Sequence, residues 1–262
     1  MFRSDTAALY VPDRPLEGQL VELPEEEARH VRALRLREGE PVLLLDGCGA
    51  RVHAIIERLD RREALVRAVT TVLDGQEAGP YIVICIGLLA DKARLEWIME
   101  KAVEMGAREI VPVVTARSEG RFNPDRAGRI AVAALKQSQR SFLPVIPEPV
   151  PLASLLARLP ASGRAFICHE SAPIEDSMGR FLLSSPAPER ITVLIGPEGG
   201  FTQEEVEAAR RAGAQVVSLG RARLRAETAA LAALVLTTTL PGMHCRQEDL
   251  HDGTQSARST GE

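Results

Sequence analysis

The chain has 262 residues, of which 45% are hydrophobic and 26% charged. These values indicate one large or two modest globular domains and exclude a disordered or fibrous protein. Aromatic residues make up only 3%, which argues against a protein that stacks single-stranded bases on aromatic platforms. The formal net charge of -4 argues against a globally basic nucleic-acid binder, although local basic patches can still bind RNA.

Neither a membrane span nor a secretory signal is predicted. The longest apolar run, residues 81–90, has half of the roughly 20 residues that a membrane-spanning helix needs, and the N-terminus lacks a continuous apolar stretch. We therefore expect a cytoplasmic protein. Its four cysteines, at positions 48, 85, 168 and 245, lack metal-ligand spacing, so we predict reduced, buried thiols and no metal site.

The first 75 residues are predicted to form short strands around one brief helix, which indicates a small β-barrel. The predicted strands are residues 8–11, 19–23, 41–46, 51–59 and 64–71. The helix opens at Pro24 with acidic residues in its first turn, where the helix dipole favours them. Residues 74–80 are polar and rich in turn-formers, so we place the linker there, between a first domain (1–74) and a second (80–242).

From Tyr81 onward strands alternate with helices, which predicts crossover units on a mostly parallel sheet and an α/β fold. The predicted strands are residues 81–86, 110–114, 165–168, 191–195 and 215–219. The predicted helices are one that ends at Gly106, residues 124–141 with Ile130, Ala133 and Ala134 facing inward, residues 152–159, one capped by Thr202, and residues 228–239. Residues 243–262 have little to bury and are predicted to be a disordered tail.

A glycine-rich loop, Gly196-Pro197-Glu198-Gly199-Gly200, follows one predicted strand and precedes a capped helix. Glycines in such a loop let backbone groups approach a ligand closely. The loop lacks the spacing of dinucleotide or P-loop motifs, and Glu198 would repel a phosphate. A cationic or neutral ligand such as S-adenosylmethionine therefore fits better, and the alternative is a tight turn without a ligand.

A second loop, residues 219–228, joins the last predicted strand to the last helix and holds Arg221, Arg223 and Arg225. Ligands collect at the carboxyl ends of parallel strands, so these arginines are candidates for anchoring RNA phosphates or orienting a base. The alternative is a solvated charged loop.

Two further basic clusters could contact phosphates. The first is Arg29, Arg32, Arg35 and Arg37, and the second is Arg121, Arg126, Arg129, Lys136 and Arg140. Acidic neighbours at positions 25–27 leave a merely solvated helix open for the first cluster. Of the histidines, we keep only His169 as a pocket-lining candidate.

Both loops together resemble the paired signature of the RsmE family of 16S ribosomal RNA uracil-N3 methyltransferases. The matching residues are Ile195-Gly196-Pro197-Glu198-Gly199-Gly200 and Leu219-Gly220-x-x-x-Leu224-Arg225-x-Glu227-Thr228-Ala229. Further matches are Asp91-Lys92-x-x-x-Glu96-Trp97-Ile98-x-x-Lys101-x-x-Glu104-x-Gly106, Gln137-Ser138-x-Arg140 and His30-x-x-x-Leu34-Arg35-x-x-x-Gly39. The chain departs from the family at Lys136, where an acid is common, and at Gln139, where a small residue is usual.

The resemblance implies a PUA-like β-barrel, a SPOUT methyltransferase domain threaded into a trefoil knot, and a homodimer. It also implies an S-adenosylmethionine pocket formed by the knot loops, and 16S ribosomal RNA in the small subunit as partner. The implied cofactor-binding residues are Leu88, His169, Glu170, Ile195, Gly196, Pro197, Glu198, Gly199, Gly200, Leu219, Gly220, Leu224, Arg225 and Thr228. The implied RNA-binding residues are Arg3, Arg29, Arg32, Arg35, Arg121, Gln137 and Arg140.

The activity implied by the family is methylation of uracil N3, at uracil-1498 of 16S ribosomal RNA. This reaction removes the N3 proton and aligns the resulting anion with the methyl donor. We predict that Arg225, paired with Arg140, stabilises the anion and that Glu198 or Glu227 accepts the proton. A ribose 2′-O-methyltransferase of the same superfamily and a non-catalytic ribosome assembly factor are the alternatives.

Overall fold

The computed structural model describes residues 6–60, 63–73, 79–159, 163–184 and 188–240. Arg3, Cys245, most of the predicted linker and the predicted tail lie outside the described residues.

The first domain is a five-stranded sheet with one helix, α1 (Glu25–Ala33). Its strands are β1 (Ala7–Tyr10), β2 (Leu20–Glu22), β3 (Pro41–Leu45), β4 (Ala50–Leu59) and β5 (Ala64–Leu73), in the order β1-β3-β4-β5-β2. β1 pairs with β3 in parallel, and the other pairings are antiparallel. All five strands and the helix occur where the sequence predicts them, with bounds that shift by one or two residues.

The second domain is a six-stranded sheet in which the described neighbours pair in parallel. Its strands are β6 (Tyr81–Gly87), β7 (Glu109–Val114), β8 (Val150–Pro151), β9 (Arg164–Cys168), β10 (Arg190–Ile195) and β11 (Gln215–Val217). Their spatial order is β11-β9-β10-β6-β7-β8. The carboxyl ends of these strands therefore meet at one edge of the sheet, as the sequence predicts for a ligand site.

Among its described residues this domain has one 3-10 helix, Ile174–Asp176, and six α-helices: α2 (Lys92–Glu104), α3 (Pro124–Ser138), α4 (Leu152–Leu156), α5 (Met178–Leu183), α6 (Gln203–Arg211) and α7 (Ala226–Thr239). The Asp91 side chain caps α2 by accepting the N–H of Ala93, and Gly106, with φ of 85°, follows its end. Thr202 and Glu205 form the predicted capping box of α6. Side-chain hydrogen bonds thus fix where α2 and α6 begin.

The structure corrects several details of the sequence prediction. Helix α3 ends at Ser138 rather than at residue 141, because Gln139 adopts a left-handed conformation with φ of 53°, and α4 ends at Leu156 rather than at residue 159. Ala134 is buried as predicted, together with Ala127, Ala131 and Leu135, but Ala133 is exposed. The structure adds β8 and α5, which are too short for a periodic signal. Cys48 is exposed in a turn, and the expectation of burial holds only in part.

The two domains share an apolar core and a set of polar contacts. Leu43 and Leu45 of β3 pack in the same cluster as Ile84 of β6. In addition, the N–H of Gly49 donates to the Ser141 carbonyl at 2.9 Å, and the N–H of Leu143 donates to the Gly47 carbonyl at 2.9 Å. The turn between β3 and β4 therefore fastens the first domain to the segment that follows α3.

Within the part of the chain that the structure describes, no helix has the length and apolar character needed to cross a membrane.

Candidate active site

A cavity of about 600 Å³ lies at the carboxyl ends of β9 and β10, beside the start of α7. Three loops supply its walls: residues 168–170, residues 195–201 and residues 218–226. These are the loops that the sequence analysis assigns to ligand binding. The volume is within the range of roughly 300 to 1,000 Å³ that small-molecule sites occupy.

The first glycine loop is a tight turn whose geometry requires its glycines. The N–H of Gly200 donates to the Pro197 carbonyl at 2.8 Å, and Gly200 has φ of 69°. A Cβ added to Gly196 would lie 3.1 Å from the Gly200 Cα. Side chains at these positions would strain the turn, so its backbone lies open along the cavity.

The same loop packs tightly against its neighbours. A Cβ added to Gly87, at the end of β6, would lie 2.5 Å from Cδ of Pro197. Arg117, from the loop after β7, donates from Nη1 to the Gly199 carbonyl at 2.6 Å. The cavity wall is thus held in place before any ligand binds.

The second loop is held by Ser218 and by α5, an element that the sequence did not predict. The Ser218 hydroxyl contacts the backbone of Gly220 at 3.1 and 3.2 Å, and Gly220 has φ of 138°. The N–H of Met178 donates to the Ser218 carbonyl at 3.1 Å. Arg225 then serves as the N-cap residue of α7 and is exposed at the cavity wall.

Glu198 lines the cavity and reaches across to the segment after β6. Its two carboxylate oxygens accept the N–H groups of Ala90 and Asp91 at 3.3 and 3.4 Å. Of the two predicted proton acceptors, Glu198 is the one that lines the cavity; Glu227 lies in the first turn of α7, outside the lining.

Arg94 and Arg117 are lining residues that the sequence analysis missed. Arg94 Nε lies 3.3 Å from Asp91 Oδ2 and 3.8 Å from Glu227 Oε1, so it links the start of α2 to the start of α7. Only the proximity of Arg94 to the Asp91-Lys92 motif could have indicated it. With Arg223 and Arg225, the cavity carries four arginines against two glutamates, and this is a local basic patch in an acidic chain.

The loop after β9 supplies Cys168, His169 and Glu170 to the wall. The His169 Nδ1 lies 2.7 Å from the Ser171 hydroxyl, which fixes the imidazole ring. Glu170 Oε2 lies 3.0 Å from Arg223 Nε, and both side chains are exposed at the cavity mouth. Burial raises the pKa of the Cys168 thiol to about 12, so this group stays protonated at neutral pH.

The structure brings most of the predicted cofactor residues together but not all. His169, Glu170, Leu219, Gly220, Leu224, Arg225 and residues 195–200 line the cavity. Leu88 is buried in the core and Thr228 is exposed on α7, and neither lines it. Leu88 follows the end of β6, and Thr228 lies two residues beyond the 218–226 loop, next to the lining residue Ala229.

Arg140 does not line the cavity beside Arg225 within one chain. Arg140 Nη1 donates to the Glu104 carbonyl at 3.4 Å, and its guanidinium packs on Gly106, at the far end of α2 from the cavity. The joint role of Arg225 and Arg140 at the substrate stays a prediction, because the motif residues around Gln137 and Arg140 do not indicate which end of the sheet they occupy.

The predicted RNA-binding residues divide into exposed and engaged side chains. Arg29, Arg35, Arg121 and Gln137 are exposed, and Arg32 donates to the Asp60 carbonyl at 3.0 Å. The structure corrects the assignment of Lys136 to the second basic cluster. Its ammonium contacts the buried Glu27 and is therefore not available to bind a phosphate at the surface.

Comparison with known proteins assigns the class of this fold and site. Residues 77–238 match the family model described as an RNA methyltransferase domain, and residues 23–69 match the RNA methyltransferase PUA domain. The structure resembles that of ribosomal RNA small subunit methyltransferase E from Neisseria gonorrhoeae bound to S-adenosylmethionine, with 30% identity, a TM-score of 0.80, and coverage of 88% of this chain and 95% of that one. The fold and site are therefore those of an S-adenosylmethionine-dependent RNA methyltransferase with an N-terminal PUA-like domain.

Two more relatives cover nearly the whole chain. A probable rRNA-methyltransferase from Porphyromonas gingivalis has 34% identity and a TM-score of 0.77, over 87% of this chain and 95% of that one. Ribosomal RNA small subunit methyltransferase E from Rickettsia conorii is 28% identical, over 91% of this chain and 97% of that protein. This chain belongs to the RsmE family, the ribosomal RNA small subunit methyltransferases E.

The residues of the cavity suit S-adenosylmethionine. Exposed backbone of the two glycine-containing loops can bind polar groups of the cofactor, and Ile195, Leu219 and Leu224 offer an apolar wall for its adenine. Glu170 and Glu198 provide carboxylates that can balance the positive charge of the sulfonium within this arginine-rich lining.

Proposed function

We propose that the protein methylates N3 of one uridine of 16S ribosomal RNA, the position numbered 1498 in the family, as a step of ribosome biogenesis. The observation that carries this proposal is the position of Arg225, exposed at the wall of a preformed cavity between two rigid loops. S-adenosylmethionine, when bound, supplies the electrophilic methyl group. The loops of residues 168–170, 195–200 and 219–226 would hold it.

The protein's own part in the reaction is to orient the uracil and to manage charge at N3. Removal of the N3 proton leaves negative charge on the ring, and the Arg225 guanidinium can donate hydrogen bonds to it in a partly desolvated site. Glu198 lines the cavity and is the proposed proton acceptor at N3, with Glu227 as the second candidate. Arg94 contacts both Asp91 and Glu227, and it can thereby hold the start of α7 in position beside the cavity.

The RNA surface is proposed to include the first domain. Arg29 is exposed in α1, and Arg35 is exposed just after the end of that helix. On the second domain, Arg121 and Gln137 are exposed. Cationic side chains on both domains would contact phosphates and position the strand, without reading its sequence.

We further propose a cytoplasmic homodimer. Two large apolar side chains, Trp97 of α2 and Val235 of α7, are 38% and 39% exposed on helices that contact each other, and a second copy could cover them. Light scattering of the purified protein measures this directly.

The test of the function is complementation of a strain that lacks the gene. Mass spectrometry of 16S ribosomal RNA measures N3-methyluridine after expression of the wild type, Arg225→Ala or Arg221→Ala. Arg221 is the matched control, because it lies in the same loop, is exposed and does not line the cavity. We expect methylation with the wild type and Arg221→Ala and a loss of at least 100-fold with Arg225→Ala. Calorimetry should still detect S-adenosylmethionine binding to Arg225→Ala.

Near-normal methylation by Arg225→Ala, or a methyl group on the ribose 2′-oxygen, would overturn the proposal. Absence of cofactor binding by the wild type would instead favour an RNA-binding assembly factor.

A further inference from the structure

A second cavity, of about 360 Å³, lies between the first half of α2 and the start of α3, beside the segment that precedes α3. Its wall is apolar where Leu95, Met99, Phe122, Ala127 and Ile130 meet. The rest of its lining is polar. It consists of the cations Lys92, Arg121 and Arg126 and of Glu96 and Asn123. An apolar slot bordered by cations suits a ligand that has a flat ring and a negative charge.

The slot has fixed walls. A Cβ added to Gly120 would lie 1.9 Å from the Leu89 carbonyl oxygen, so the segment before α3 lies directly on the segment before α2. Asn123 then caps α3, with Oδ1 accepting the N–H of Arg126 at 3.0 Å. The ligand would therefore pay little free energy for ordering the site.

Glu96, the acidic residue of the slot lining, is paired with Arg126. Arg126 donates to both oxygens of Glu96, from Nε at 3.2 Å and from Nη2 at 2.8 Å, and this lowers the pKa of the Glu96 carboxyl. Lys92 and Arg121 are exposed at the rim. The net charge offered to an incoming ligand is consequently positive.

The start of α2 lies between the slot and the cofactor cavity. Lys92 lines the slot and Arg94 lines the cofactor cavity, and two positions along a helix advance the backbone by about 3 Å while turning the side chains to different faces. The two cavities therefore adjoin the same end of α2 from different sides.

We propose that the slot binds a nucleotide that flanks the target uridine, with its base on the apolar wall at Phe122 and its phosphate between Lys92 and Arg121. This inference rests on the proposed function, since it assumes an RNA substrate. One partly buried aromatic residue in an apolar slot can hold one base, which is consistent with a chain that is poor in aromatic residues.

The test uses the full chain and a fluorescent single-stranded RNA oligonucleotide that spans the target uridine. Anisotropy titrations at several salt concentrations compare the wild type, the double variant Lys92→Ala/Arg121→Ala, and Arg211→Ala. Arg211 is the control, because it is exposed on α6, lines neither cavity and belongs to neither basic cluster. The double variant should bind about tenfold more weakly, and the slope of log Kd against log salt concentration should fall by about 0.7, as expected for one phosphate of a single strand that is no longer neutralised.

Phe122→Leu tests the base contact separately. It keeps apolar volume at the partly buried position and removes the ring, so RNA affinity should fall about fivefold or more while the salt slope stays unchanged. S-adenosylmethionine affinity, measured by calorimetry, should be unchanged in all variants.

RNA affinity of the double variant and of Phe122→Leu equal to that of Arg211→Ala would overturn the proposal. A change of oligomeric state in place of a change in RNA affinity would also overturn it and assign the slot to a second copy of the chain. These results are distinct from failure of the proposed function, which appears as absent N3 methylation by the wild type.

Discussion

The ammonium of Lys136 lies 2.7 Å from Oε1 of Glu27, and this ion pair joins α3 of the methyltransferase domain to α1 of the PUA-like domain. The Glu27 side chain is 4% exposed and that of Lys136 is 16% exposed. The structure thereby accounts for the departure from the family at Lys136. A cation there neutralises a carboxylate that the interface has removed from water.

Lys136→Ala should lower the free energy of unfolding by about 3 kcal/mol, because it leaves the Glu27 carboxylate buried without its counter-charge. Urea denaturation followed by circular dichroism measures this loss. Arg129→Ala, an exposed change on the same helix, should stay within about 0.5 kcal/mol of the wild type. Adding Glu27→Gln to Lys136→Ala should restore part of the loss, and a double variant no more stable than Lys136→Ala would contradict the proposed electrostatic cause.

Sequence reasoning located the cavity loops because their signals are local. Glycines between a strand and a capped helix specify a turn wherever the chain goes, and the carboxyl ends of parallel strands share one edge. The same reasoning could not show that Arg140 lies away from Arg225 within one chain, because its position depends on tertiary packing. It also missed Arg94, in the first turn of α2, and Arg117, in the loop after β7, because neither is a fixed position of a motif.

The PUA-like identity of the first domain required more than periodicity. Short alternating strands predict a small barrel, but they do not distinguish one barrel family from another. Likewise, connection rules predict an unthreaded sheet, so the trefoil knot was implied by the family resemblance alone. Short elements such as α5, which holds Ser218 at the cavity, fall below the length at which hydrophobic periodicity is informative.

Gly87→Ala should reduce S-adenosylmethionine affinity by at least tenfold, because the new Cβ would lie 2.5 Å from Cδ and 2.7 Å from the backbone nitrogen of Pro197. The clash has to push the glycine loop out of its position in the cavity wall. Calorimetry measures the affinity, and circular dichroism checks that the protein is folded.

Gly128→Ala is the matched control for that substitution. Gly128 lies within α3 with open space around the position of an added Cβ, so alanine should leave cofactor affinity unchanged and raise stability by up to about 1 kcal/mol. Equal cofactor affinity of Gly87→Ala and the wild type would show that the Gly87–Pro197 contact does not shape the cavity.

Glu198→Gln separates two roles of this carboxylate. The amide keeps an oxygen that can accept the N–H of Ala90 or Asp91, but it does not accept a proton at neutral pH. If Glu198 accepts the N3 proton, turnover should fall about 100-fold or more while cofactor affinity stays within about threefold of the wild type. Single-turnover methylation assays measure the first quantity and calorimetry the second.

Glu227→Gln provides the comparison, since Glu227 lies outside the cavity lining. Its effect on turnover should be smaller than that of Glu198→Gln. A normal rate for Glu198→Gln would exclude Glu198 as the proton acceptor. If Glu198→Ala then binds the cofactor weakly, the role of Glu198 is to hold the segment after β6 in position through its hydrogen bonds.

The cysteines should react with alkylating agents in an order set by burial. At pH 8, iodoacetamide should modify the exposed Cys48 before Cys168 and Cys85, as measured by mass spectrometry of peptides over time. Burial raises the pKa of the Cys168 thiol from 9.0 to about 12, and it raises that of Cys85 further still. Since the thiolate is the reacting form, the raised pKa lowers its fraction at pH 8 by about a thousandfold for Cys168.

The raised pKa of the Cys168 thiol also predicts that the protein loses stability at high pH. The Cys168 thiol gains thiolate only as the pH approaches 12, whereas in the unfolded chain it ionises near 9.0, so its contribution to stability is complete below pH 9 and is lost as the pH rises through this window. Urea, which exposes all thiols, is the control and should equalise the labelling rates at pH 8. Rapid labelling of Cys168 in the native protein would show that the cavity wall at the end of β9 opens to solvent far more often than its packing implies.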